Sequence, residues 1–153
     1  MKHRTLSLTL SIVFAALFSS LGVAQNATTE KEKAQVIELT TESFKQRVMD
    51  YEKHPQEWVY AGKRPSIIDF YATWCGPCKQ VAPIMAQLAN DYAGKIDIYK
   101  VDIDKNRELA ALFGIQSIPT ILFIPNEGLP QKAVGAMPKS SYEEVIKKLL
   151  TTP

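Results

Sequence analysis

A chain of 153 residues with 46% apolar and 22% charged content holds one ordinary globular domain and not two. That balance excludes a disordered or low-complexity protein. The formal charge is only +2 and its excess lies in the first residues, so there is no electrostatic case for nucleic acid or acidic membranes as partners.

Lys2, His3 and Arg4 open the chain, Leu6 to Leu21 is apolar and uncharged, and Gly22-Val23-Ala24 precedes polar Gln25-Asn26. This is the pattern of a cleavable export signal over residues 1–24. The competing reading is an uncleaved anchor, because the stretch approaches the length of a bilayer span. Small residues at the exit and scattered Ser and Thr favour cleavage, and no Cys near the junction could carry a lipid. Cleavage after Ala24 removes Lys2 and Arg4, so the 18 basic residues become 16, equal to the 16 acidic ones. The mature chain is then near neutral, soluble, and expected in the periplasm or secreted.

Residues 25–35 are polar at first and read as a flexible lead-in, and residues 36–153 as the folded domain. Val36 to Leu39 is a short strand. Thr40 or Thr41 can cap a helix from about Glu42, with Phe44, Val48, Met49 and Tyr51 as its apolar face and His54-Pro55 as its end. A connection over Gln56 to Pro65 follows. Ser66 to Ala72 is almost continuously apolar, which suits a central strand buried on both faces, Asp69 being the exception. A helix from Cys75 to about Tyr92 has Val81, Ile84, Met85, Leu88 and Ala89 inside, and Pro83 within it predicts a kink. Ile96 to Asp102 is a strand and Asn106 to Phe113 a short helix. Ile121 to Ile124 and Gln131 to Val134 form a hairpin around Pro125 to Gly128. The last helix starts near Ser140 or Ser141, with Glu143 and Glu144 placed for a capping box. Tyr142, Val145, Ile146, Leu149 and Leu150 form its stripe. Alternating strands and helices imply parallel βαβ units, closed by an antiparallel hairpin.

Both cysteines of the chain fall in Trp74-Cys75-Gly76-Pro77-Cys78-Lys79, between a strand and a helix. A structural staple explains this poorly, since so short a loop hardly constrains the unfolded chain. Structural zinc wants four ligands, and only two Cys and two His exist, one of them inside the leader; no metal site is expected. A pair that interconverts between dithiol and disulfide remains. Cys75 at a helix N-terminus faces unpaired N–H groups and the positive end of the helix dipole, which stabilise the reactive thiolate. Pro77 loses nothing at a helix start, where its missing N–H has no partner anyway.

From Val36 to Leu150 the chain resembles the thioredoxin family. The resemblance rests on Trp74 to Lys79, on Asp69 six residues before the first Cys, and on Pro83 five after the second. It also rests on Ile118-Pro119-Thr120, on Val134-Gly135-Ala136, and on Lys100. Tyr51 to Arg64 looks longer than in minimal members. The resemblance implies an α/β thioredoxin fold, a central mixed sheet of about five strands flanked by about four helices. It implies a thiol–disulfide oxidoreductase without a bound cofactor. Cys75 would attack a partner disulfide and Cys78 would resolve the mixed disulfide. Asp69 would accept the Cys78 proton, its pKa raised by burial and opposed by Lys100. A cis bond is implied at Pro119, which alone would read as an ordinary trans turn proline. Ile118 and Pro119 would then lie beside Cys75, with Trp74, Gly76, Pro77, Gly135 and Ala136 completing a shallow partner surface. Gly-Pro between the cysteines resembles the reducing members. The partners implied are protein disulfides or dithiols, plus an external electron donor such as a membrane thiol-relay protein, the chain being expected as a monomer. An exported thiol oxidase or isomerase, and a non-catalytic binding or chaperone module, are the competing functions.

Overall fold

The computed structural model describes residues 34–151. The leader expected at residues 1–24 and nearly all of the lead-in at 25–35 lie outside the described residues. Five strands and four helices follow in chain order: β1 (Ile37–Glu38), α1 (Thr41–Arg47), β2 (Ser66–Tyr71), α2 (Gly76–Asp91), β3 (Asp97–Asp102), α3 (Arg107–Leu112), β4 (Thr120–Ile124), β5 (Gln131–Val134) and α4 (Lys139–Thr151). They form the thioredoxin fold.

The sheet order is β1-β3-β2-β4-β5. β3 runs parallel to both β1 and β2, whereas β4 is antiparallel to β2 and β5 to β4. Alternation of strand and helix alone makes β3-α3-β4 another parallel unit, and this is not what forms. β3 already has a partner on each edge, so β4 adds to the free edge of β2.

β2 is buried along almost its whole length, as its apolar run requires, and its alternate residues feed two cores. On one face Ile67 packs with Ile98, Ile121 and Phe123 under Val81, Met85 and Leu88 of α2 and Tyr142 and Ile146 of α4. On the other, Ile68 and Phe70 pack with Val101, Leu122 and Ile124 under Phe44 of α1 and Leu109 of α3. Asp69 shares the α2–α4 face with Ile67, which puts a carboxyl where the pattern otherwise places hydrocarbon.

Two helix ends differ from expectation. α1 stops at Arg47, well before His54-Pro55, because the Val48 carbonyl accepts the Ala61 N–H at 2.8 Å. Asp50 Oδ1 then accepts the Lys53 N–H at 3.2 Å and turns the chain. α4 begins at Lys139, so Ser140 and Ser141 lie inside it and cannot be its cap. The Tyr142 hydroxyl instead accepts the Met137 N–H at 3.3 Å just ahead of the helix. Leu150 is exposed rather than part of the stripe. A capping box is found at α1: Thr40 Oγ1 accepts from the Ser43 N–H and Ser43 Oγ from the Thr40 N–H.

Candidate active site

The carboxyl end of β2 delivers the chain through Ala72 to Cys75, which is the N-cap of α2. Cys75 Sγ accepts the Cys78 N–H at 3.2 Å, satisfying one of the donors a helix start leaves open. Cys75 and Cys78 are joined in a disulfide. Their exposures are 4% and 3%, so burial does not separate them. Surroundings separate them instead. Cys75 lies between the exposed Trp74 and Gly76, while Cys78 lines a cleft of about 280 Å³ shared with Asp69, Tyr71, Thr73, Met85 and Lys100.

Asp69 is 4% exposed, and its Oδ1 has no hydrogen-bond partner among the described residues. Burial, opposed by the Lys100 charge, pushes its carboxyl up to about 7. Taking a carboxylate out of water disfavours its charged form, and the neighbour on β4, Ile121, offers only hydrocarbon. A group poised near neutrality both takes and returns a proton readily.

The loop before β4 closes the other side. The Ile118–Pro119 bond is cis, and Ile118 packs against the cluster of Ala72, Cys75 and Cys78. Thr120 Oγ1 donates to the Ser117 carbonyl at 2.6 Å and tightens this turn. Gly135, at φ +94°, donates its N–H to the Pro119 carbonyl at 2.8 Å. Gly76, Pro77 and Ala136 are exposed, and Gly135 is half-buried. Cys75, Cys78, Asp69, Lys100, Ile118, Pro119 and Gly135 are thus linked by the cleft, the apolar cluster and the loop bond.

Trp74 stands apart from that cluster at 66% exposure, with its ring nitrogen fixed. Its Nε1–H donates to Asp104 Oδ2 at 2.8 Å. The Asp104 N–H in turn donates to Asp102 Oδ1 at 3.0 Å, and Asp102 is buried at the end of β3. Sequence reasoning did not single out Asp102, Asp104 or Tyr71. Tyr71 carried a usable signal, lying two residues beyond Asp69 on a strand and hence on the same face. The two acids carried none, because the residue they fix, Trp74, lies 30 positions away in the chain.

A family model for thioredoxin matches residues 35–148. A thioredoxin of Borreliella burgdorferi is 50% identical over 111 residues, which is 72% of this chain and 94% of that protein. One from Staphylococcus saprophyticus is 47% identical over 85 residues, covering 56% of this chain and 82% of that protein. The solved structure of chloroplastic thioredoxin z superposes with a TM-score of 0.63 at 26% identity, over 77% of this chain and 96% of that one. Family match, fold and paired thiols agree, and the chain belongs to the thioredoxin family as a thiol–disulfide oxidoreductase whose redox pair is Cys75 and Cys78.

Proposed function

We propose that the protein is an exported reductant of protein disulfides. Three features support this reading: the leader-like segment Lys2 to Ala24, the Gly76-Pro77 spacer shared with reducing members, and the cleft that joins Asp69 to Cys78. The cleft carries the mechanism. The Cys75 thiolate attacks one sulfur of a substrate disulfide, forming a mixed disulfide and expelling the first substrate thiolate. Asp69, ionised, takes the Cys78 proton across the cleft. The Cys78 thiolate then attacks Cys75 Sγ, the mixed disulfide breaks, and the second substrate thiolate leaves. The substrate gains two electrons and, on protonation of its two sulfurs, two protons, while the protein is left as the Cys75–Cys78 disulfide.

Trp74, held by Asp104, and the Ile118–Pro119 and Gly135–Ala136 backbones form the shallow surface on which an extended substrate segment lies beside Cys75. A donor outside the chain, such as a membrane thiol-relay protein, restores the dithiol. Among the described residues no helix is long and apolar enough to cross a membrane.

The reduced protein is expected to reduce insulin disulfides, and Cys75→Ser to abolish turnover; full activity in that variant refutes the mechanism. A reduction potential near the thioredoxin value of about −270 mV, carried over from the family, supports the reducing direction, whereas about −120 mV marks an oxidant and reverses it. Export is tested by fractionating cells and sequencing the N-terminus of the purified protein, expected at Gln25.

A further inference from the structure

Asp69 belongs to a row of side chains that crosses the sheet. The register pairs Glu38 of β1 with Lys100 of β3, Lys100 with Asp69 of β2, and Asp69 with Ile121 of β4. Directly paired residues project to the same face. One ammonium therefore lies between two carboxylates, one at the sheet edge and one in the interior. It is held toward the edge. Lys100 Nζ is 3.3 Å from Glu38 Oε2 and 5.3 Å from the centre of the Tyr71 ring. Among the described residues no ion pair joins it to Asp69.

We infer that Glu38 is a positioning residue: by holding the Lys100 ammonium toward the outer edge of the sheet, it sets how readily Asp69 gives up its proton. The inference rests on Asp69 being the proton acceptor for Cys78 only in its consequence for catalysis, not in its electrostatics. Two influences act on the Asp69 carboxyl, burial raising it and the Lys100 charge lowering it. Glu38 competes for the second. Glu38 itself stays ionised while Asp69 titrates, because its carboxyl is held below the usual range, chiefly by the Lys105 hydrogen bond and further by Lys100. The other charged or titratable groups around Asp69 are Lys79 of α2 and Tyr71 of β2, which line the cleft beside the disulfide-bonded Cys78, and Tyr142 of α4, which feels the Asp69 charge. Lys105, after β3, meets Glu38 Oε1 at 3.3 Å and Asp102 Oδ2 at 3.5 Å. None of these stands between Lys100 and Asp69 in the row.

The test is a carbon-13 NMR titration of the Asp69 side-chain carboxyl in the purified, oxidised protein. In Glu38→Gln the freed ammonium turns inward, and the Asp69 midpoint falls by roughly one pH unit, as a nearby opposite charge does. In a Lys100→Met background the same Glu38→Gln change leaves the midpoint where it is. A midpoint that is unmoved or raised in Glu38→Gln overturns the inference. So does an equal fall in both backgrounds, because Glu38 would then act without Lys100. The pH profile of single-turnover insulin reduction separates the two ideas. If the carboxyl midpoint falls and the acid limb of the rate does not follow, Glu38 keeps its role and Asp69 loses that of proton acceptor.

Discussion

The Asp69 carboxyl is 4% exposed, with Ile121 on one neighbouring strand and Lys100 on the other. Its ordinary value of 3.8 becomes about 7 in the folded protein. The native state thus keeps a proton that the unfolded chain releases, and stability falls as pH rises from about 4 to about 7 and is level above that. At about 1.4 kcal/mol per pH unit, the cost above neutrality is about 4 kcal/mol, an order-of-magnitude figure. Asp69→Asn removes this dependence while keeping the shape. The variant is expected to gain on the parent between about pH 4 and about pH 8 by up to about 4 kcal/mol, read from urea unfolding of the oxidised proteins. The slope is the readout, since an amide without partners carries its own constant burial cost. A gap equal at both pH values would contradict the raised carboxyl.

At the scale of elements, the proposed partner surface depends on short segments brought together by the sheet. The Pro119 carbonyl is anchored by the Gly135 N–H across β4 and β5, and Gly135 holds φ at +94°. A Cβ there would meet no atom within 4 Å, so the penalty for a side chain is conformational. Gly135→Ala is expected to cost roughly 1–2 kcal/mol in urea unfolding and to raise KM for disulfide substrates, because backbone that relaxes from φ +94° carries the N–H away from the Pro119 carbonyl. An unchanged KM would remove Gly135 from the docking surface. The helix carrying the cysteines was legible because its signals are local: a strand, two thiols, Gly-Pro and an apolar stripe. The end of α1 was not, because the Ala61 N–H that captures the Val48 carbonyl comes from a later connection.

Taken whole, the described domain is a sheet with a core on each face, and the redox pair follows the end of β2. α4 covers the face that contains Asp69, through the fully buried Tyr142 and Ile146. Ile146→Ala is expected to cost about 2–5 kcal/mol in unfolding free energy. Because α4 closes the apolar layer around Asp69, the loss should also lower the Asp69 titration midpoint as solvent enters. A destabilised variant with the midpoint unmoved would show that α4 supports the fold without governing the carboxyl.

What followed from the chain alone was whatever neighbouring residues encode. Cys75-Gly76-Pro77-Cys78 announced exchange chemistry, the almost continuous apolar run at Ser66 to Ala72 a strand with no wet face, and Asp69 an acid in the wrong place. What required the folded molecule was everything that depends on register between distant strands. β4 runs antiparallel on the edge of β2, Asp104 holds Trp74, and Glu38 claims Lys100. The reason is physical: side-chain periodicity is written residue by residue, whereas which strand lies beside which is set only when both cores are buried at once.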